Sequence, residues 1–408
     1  MSDQDPIDSL INSINPIKKV LILYLQAGGG HKSNATSLHN TLKEYNPNLE
    51  IELFDFGVNG PIKESSYIWL TEKAKPIWYL VSILIRNKFI IKFCNFWFQV
   101  FYRQIIEKKF SEFKPDLVLN TYYFSASTID SLLSNLSRNR NITAITDTWS
   151  APSVWFSNTK LRYLVFSESA FEKGLACSVP KRNLIRSNYF FDSKFNQELD
   201  SDQINQFLIS QNLRINLDNI VILGGGGSML NGEKILFELI KTLEQVSNNS
   251  NHQHFQIICI CGRNQTLYNL CLEVKQKFPL EIQKLVLIKG FTQNVYEYLN
   301  SAKVVISKAG PASILETLAL KKPLIISSYI WEQELANKDF VVNNQVGYYQ
   351  TNPKKIAITA INLLIDKDKY LTLKQNIIKL NLHSNNQEIA KSCLYAQYNF
   401  NYYTNLSR

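Results

Sequence analysis

Apolar residues run along this chain in short blocks that alternate with amphipathic stretches. Lys19 to Leu25 is an almost continuous apolar run, the length of one buried strand. Gly28-Gly29-Gly30 follows, then a segment with helical spacing towards Tyr45. Ile51 to Phe56 reads as a second strand. A long aromatic stretch from Ile62 to Phe113 reads as mostly helical. Asp116 to Asn120, Thr143 to Thr146 and Leu164 to Ser167 read as further strands, with a helix from Ser125 to Leu136.

The alternation restarts at Ile220, with strands near Val221, Ile257, Val286, Val304 and Leu324. Buried strands separated by helices predict parallel sheets of the α/β class. Each unit opens with a strand and a Gly-rich turn, which predicts two Rossmann-like domains facing a cleft. Ligands would then bind outside the carboxyl ends of the strands. The polar stretch Asn196 to Asn219 separates the units. The predicted organisation is a loose arm over 1–16, a first domain over 17–199, a second over 200–385, and a helical C-terminal segment over 386–408.

Composition narrows the partners. A chain of 408 residues suits two cores rather than one. A formal net charge of +10 favours anionic partners, whether membrane, nucleic acid or phosphorylated substrate. The six cysteines, at 94, 177, 259, 261, 271 and 393, include no Cys-x-x-Cys pair, and Cys259 and Cys261 alternate within an apparent strand. They read as core cysteines in a reducing compartment. The N-terminus has no apolar signal core. Asp-x-Asp occurs at Asp3/Asp5, Asp200/Asp202 and Asp366/Asp368, in an arm, a linker and a Lys-rich turn, all of which read as solvated faces. No His/Cys cluster has zinc spacing, so no metal and no cofactor is expected.

The aromatic stretch points to a surface. Pro76 to Ile85 and Phe93 to Tyr102 are apolar runs, neither near the roughly 20 residues that span a bilayer. Lys88, Lys92, Lys108 and Lys109 accompany Trp78, Trp97 and Phe98. A basic helix rich in Trp and Phe reads as interfacial membrane binding, against the alternative of a helix buried in the first core. Nucleic acid is the weaker partner, since the aromatics are bulky and flanked by aliphatics.

The most informative segment is Lys303 to Asn337, read as strand, Gly-Pro turn, helix, strand and acidic loop. Gly310 allows an unusual turn. Pro311 suits a first helical position. The amides of Ala312 and Ser313 would then form an anion site at the helix N-terminus. Glu316 shares the face of Ala312 one turn further in, placed to accept ribose hydroxyls. Glu332 and Gln333 follow in the loop as groups able to grip sugar hydroxyls. Together these make a nucleotide-sugar site. His31, after three glycines at a helix start, is either a general base or a residue that caps the helix or contacts phosphate. Arg263 is either a diphosphate ligand or a surface ion-pair partner, and Lys308 reads as an ordinary solvated lysine.

The Lys303–Asn337 segment resembles the donor-binding region of glycosyltransferase family 28, with the best likeness to its monogalactosyldiacylglycerol synthase type. Leu21 to Ala35, Ile145-Thr-Asp147 with Trp155-Phe156, Val221 to Ser228, Cys261-Gly-Arg-Asn264 and Lys289 to Val295 resemble other family segments in the family's order, over about residues 18–385. The resemblance implies a GT-B architecture whose last helix crosses back to the first domain. It implies His31 as catalytic base, and a donor site containing Gly29, Gly30, Gly225, Gly226, Arg263, Phe291, Val295, Gly310, Pro311, Ala312, Ser313, Glu316, Glu332, Gln333 and Asn337. It implies an inverting enzyme, peripheral on the cytoplasmic face of an anionic membrane, that moves a hexose from a UDP-hexose to a lipid. Galactose to diacylglycerol is favoured. Transfer of glucose or N-acetylglucosamine to another lipid, or a binding protein without turnover, are the alternatives.

Overall fold

The computed structural model describes residues 17–25, 29–58, 60, 74–132, 140–224, 229–247, 255–330 and 332–395. Gly225 and Gly226 lie outside the described residues, as do the side chains of Gly29 and Trp78 and the first Asp-x-Asp.

Two six-stranded parallel sheets form the framework. The first has the order β2-β1-β3-β4-β5-β6, from β1 (Lys19–Tyr24), β2 (Glu50–Asp55), β3 (Leu117–Asn120), β4 (Asn141–Ala144), β5 (Arg162–Val165) and β6 (Leu184–Arg186). The second has the order β12-β11-β10-β7-β8-β9, from β7 (Asp218–Leu223), β8 (Phe255–Ile260), β9 (Val286–Lys289), β10 (Ala302–Lys308), β11 (Leu324–Ser328) and β12 (Gly347–Tyr349). The middles of the opening strands β1 and β7 are apolar because helices cover both faces: Val20 to Leu23 and Ile220 to Ile222 are fully buried. The edge strands β6 and β12 are three residues each and carry no continuous apolar run, so only pairing with β5 and β11 defines them.

The strand order places the functional segments. In each sheet the order reverses beside the strand that opens its half. The strand ends that lead into α1 (Gly29–Tyr45), β4, β8 and β10 therefore gather at the carboxyl edges. At Gly224, just past β7, a Cβ would stand 2.9 Å from the Ile260 carbonyl oxygen, so glycine keeps β7 and β8 close at this edge.

The halves are joined by more than the linker. The ring of Trp149 stacks on Phe340 at 4.2 Å. Helix Asn386–Leu394 packs Ile389, Ala390 and Cys393 against Ala35, Leu38 and Leu42 of α1. Asn188 donates to Glu388 at 2.7 Å, and the Tyr45 and Tyr395 hydroxyls meet at 3.0 Å.

The aromatic stretch forms a helical hairpin, α2 (Lys75–Leu84) and α3 (Lys88–Phe113). Asn87 caps α3 by accepting from the Phe89 amide at 2.8 Å. One face of α3, with Ile91, Phe98, Tyr102, Ile106 and Phe113, enters the first core. Phe98 therefore does not meet a membrane: it is 4% exposed and stacks on Tyr102 at 4.4 Å. Lys109 is likewise engaged, paired with Glu52 and lying over the Phe54 ring. Lys88, Lys92 and Lys108 remain exposed. Among the described residues, no helix is long and apolar enough to cross a membrane.

The remaining Asp-x-Asp pairs are structural. Asp200 caps helix Ser201–Ser210 in a reciprocal arrangement with Gln203, and Asp366 accepts from the Lys369 amide.

Candidate active site

His31 enters on the first turn of α1, past the carboxyl end of β1. Its Nδ1 lies 2.6 Å from the Thr121 carbonyl oxygen. A carbonyl can only accept, so Nδ1 carries the proton and Nε2 is left as an acceptor. Thr121 sits beyond β3, where Asn120 fixes the turn by donating to the Tyr122 carbonyl and accepting from Ser125 at 2.6 Å each. The Thr146 hydroxyl is a second neighbour of Nδ1, at 3.3 Å. Tyr122 meets the imidazole edge-on at 5.4 Å and Trp155 flanks it at 6.2 Å. Burial lowers the His31 pKa to about 4, because an imidazolium would lose its water. The ring is neutral at pH 7, with one nitrogen ready to take a proton.

Trp155 carries this arrangement onward. Its indole N–H donates to Asp147 Oδ2 at 2.7 Å. Burial raises the Asp147 pKa to about 6. The indole bond opposes that shift, Glu334 adds to it, and Lys308 opposes it again. Asp147 in the first half thus feels the charges of Lys308 and Glu334 in the second.

On the second side, β10 ends at Lys308 and helix Pro311–Ala319 begins after Gly310. Gly310 has φ −68°, an ordinary extended conformation. The unusual turn expected at this glycine is therefore absent. A Cβ there would lie 3.7 to 3.8 Å from the Lys308 and Glu334 side chains, at the mouth of the site. Pro311 occupies the first helical position, and the half-buried Ala312 and Ser313 form the first turn with no side-chain cap. Their amides are the helix-end donors.

Lys308 is not a solvated lysine. Its Nζ donates to Glu334 Oε1 at 2.7 Å, and both side chains are largely buried. Glu334 also accepts from the Ile330 amide at 2.8 Å. Glu316 is half-buried, and desolvation raises its pKa to about 7. Lys194 opposes the shift and Asp192 adds to it.

The other predicted donor residues separate into groups. Arg263, past β8, lies over the Phe291 ring at 4.9 Å, so these two meet at the strand edge as a stacked cation and aromatic. Val295 opens helix Val295–Ser301 and packs against the second core. Asn337 is fully buried and donates to the Ala309 carbonyl at 2.9 Å, so it braces the turn from behind. Glu332 has φ 63° and pairs with Arg86 of the α2–α3 turn. Gln333 is half-buried beside it. Gly30, the second residue of α1, has open space where a Cβ would stand.

Sequence reading missed Thr121, Asp147 and Glu334 as site residues. Asp147 had a signal, since its segment carried the family likeness. Glu334 is one position past the residue singled out, and only the loop path decides which carboxylate turns inward.

Residues 219–393 match the glycosyltransferase family 28 C-terminal domain. Monogalactosyldiacylglycerol synthase 3, chloroplastic, of Arabidopsis thaliana is 24% identical over 398 residues, covering 89% of this chain and 78% of its own length. A glycosyltransferase from Rickettsia africae ESF-5 shares the fold with TM-score 0.57 at 12% identity, covering 94% of this chain and 98% of its own. HepE of Anabaena in complex with UDP-glucose has TM-score 0.53 at 13% identity, covering 92% and 95%. With that match in its second half and monogalactosyldiacylglycerol synthases aligned along most of its length, the chain is a glycosyltransferase of GT-B architecture whose second half is similar to the family 28 C-terminal domain.

Proposed function

We propose that this enzyme transfers a hexose, galactose favoured, from a UDP-sugar to the free hydroxyl of diacylglycerol at a membrane surface, with inversion at the anomeric carbon. The observation that carries the reading is His31 beside Trp155, whose N–H holds Asp147, in the first half, and the Lys308–Glu334 pair beside a helix end in the second. It sets a neutral base on the acceptor side against a cation and a helix end on the donor side.

The acceptor oxygen attacks the anomeric carbon while its proton passes to His31 Nε2 and the bond to the diphosphate breaks. The negative charge that leaves on the diphosphate falls on the helix amides of Ala312 and Ser313, on Lys308 and on Arg263. These donors belong to the chain, so UDP binds without added metal. Glu316 accepts the ribose hydroxyls as a carboxylate.

The lipid side rests on the outer face of α3. Phe89, Phe93, Phe96, Trp97, Val100 and Phe101 recur at helical spacing, and Phe89 is 80% and Phe93 62% exposed. Ile77, Leu80 and Leu84 of α2 extend the patch, with Lys88 and Lys92 among the aromatics. An exposed apolar surface rimmed by lysines docks on anionic lipid without spanning it.

The test is a matrix of UDP-galactose, UDP-glucose and UDP-N-acetylglucosamine against diacylglycerol and other hydroxyl lipids in anionic vesicles, reading released UDP and glycolipid. Preferred formation of galactosyldiacylglycerol is expected. UDP release without lipid product, or preference for another pair, replaces the reading.

A further inference from the structure

The fold gathers three thiols that the sequence keeps apart. Cys259 is in β8, Cys261 directly follows it, and Cys271 is in helix Gln265–Gln276, which folds back over that strand. Residues two apart on a strand share a face, so Cys259 and Cys261 point the same way. Cys259 Sγ lies 3.8 Å from Cys261 Sγ and 3.8 Å from Cys271 Sγ. All three sulfurs fall within 4.8 Å of one another, and all three residues are buried. Among the described residues they are the one group of three potential ligands so gathered. Ile222, Leu236, Leu267 and Ile288 belong to the same apolar cluster, and Glu233 is the charged group that acts on Cys271.

We propose that Cys259, Cys261 and Cys271 form a three-coordinate, sulfur-only site for a soft monovalent metal ion, copper(I). Metal–sulfur bonds of ~2.3 Å at angles between tetrahedral and trigonal place ligand sulfurs about 3.8–4.0 Å apart. Cys259 already stands at that spacing from both partners, and the third pair lies within 4.8 Å. Sulfur-only ligation selects soft ions. Structural zinc completes a set of four ligands, and cubane and rhombic iron–sulfur clusters take four cysteines. The site holds three sulfurs in a dry core with no carboxylate or imidazole in the group. Binding releases one thiol proton to solvent. Each further sulfur that binds as a thiolate releases its proton to solvent in the same way, so affinity rises with pH.

The ion would cross-link the end of β8 to the following helix. The turn between them, Gly262 at φ 61° and then Arg263, presents the guanidinium that stacks on Phe291. The site is separate from the transfer chemistry, so its test does not depend on the sugar or the acceptor.

The full chain, reduced and under argon, is titrated with copper(I) in competition with a chromogenic copper(I) chelator. One ion per chain should be withdrawn from the chelator, and X-ray absorption should give three sulfur neighbours. Cys271→Ser should lower the affinity by about 100-fold or more, since loss of a ligand exceeds the 10–100-fold cost of outer-shell changes. The variant Cys94→Ser/Cys177→Ser/Cys393→Ser should keep it. Undiminished binding in Cys271→Ser, or loss in the triple variant, overturns the site. Should Cys271→Ser fail to fold, the parent decides alone: a copper shell with two sulfurs, or with nitrogen or oxygen, refutes the proposal.

Discussion

In the first half, β1 runs into the N-terminus of α1 and sets His31 there; in the second, β10 runs into helix Pro311–Ala319 beside Lys308 and Glu334. The device is the same, a helix end past the carboxyl edge of a parallel sheet. What surrounds it differs. Tyr122 and Trp155 dry the first turn, and burial keeps its histidine neutral. The second turn keeps a glycine at its mouth, an uncapped first turn and a buried ion pair. Similar backbone geometry thus sets a neutral histidine on one side and a buried ion pair beside a helix end on the other, because desolvation discourages charge while paired charges and amides support it.

The outer face of α3 belongs to the first half alone, and removing it should have the largest effect. Phe89→Ser/Phe93→Ser/Trp97→Ser deletes three side chains worth up to about 1.5–3 kcal/mol each on burial. Flotation with anionic vesicles should be abolished, while calorimetric UDP binding is kept. Retained flotation would place the docking surface elsewhere.

His31→Ala should lower turnover by about 100-fold or more with UDP affinity little changed, as expected for loss of a general base. The acid limb due to His31 should fall near pH 4 in the free enzyme, because its pKa is lowered and the neutral base persists above that value. Near-normal turnover in the variant would remove the base assignment.

Lys88→Gln/Lys92→Gln should weaken vesicle binding by about 2 kcal/mol at low salt, at roughly 1 kcal/mol per lysine near an anionic surface. The difference should shrink in high salt. The contrast with Lys109→Gln is informative, because that lysine is already paired with Glu52; an equal effect from Lys109→Gln would refute the assignment of faces.

Glu316→Gln should weaken UDP binding by about 1–2 kcal/mol, within the range for hydrogen bonds to a charged group. The Glu316 pKa is raised to about 7, so the accepting carboxylate forms as pH rises through that value. UDP affinity of the parent should climb from pH 6 to 8 and stay flat in the variant. Calorimetry giving parallel profiles would take Glu316 out of the site.

The smallest expected effect concerns Asp147. Its pKa is raised from 3.8 to about 6, so its contribution to stability is full below pH 4 and lost as pH rises through 6. Asp147→Asn, which can still accept the Trp155 N–H, should raise Tm by a few degrees at pH 8 and leave it unchanged at pH 4. A destabilised variant at pH 8 would show that the carboxylate is held by stronger partners than Lys308.

The sequence by itself determined the two sheets. Continuous apolar runs such as Val20 to Leu23 and Ile220 to Ile222 are strands in a parallel sheet because only double-sided burial suits them. It also determined Pro311 as the first residue of its helix, a preference that is local. The tertiary structure decided the rest. Phe98 and Phe93 carry equal hydrophobicity five residues apart, yet one is core and one is surface, because helix rotation against β1 and β3 sets the faces. Glu332 and Glu334 are two residues apart, yet one pairs with Arg86 and the other with Lys308. The bond from His31 to Thr121 spans 90 residues, and Cys271 reaches Cys259 only when a helix folds back on its strand. Periodicity is a property of neighbours in the chain and survives in a sequence. Hydrogen bonds, ion pairs and pKa values depend on distances of a few ångströms between remote residues, and those exist only after the sheets have assembled.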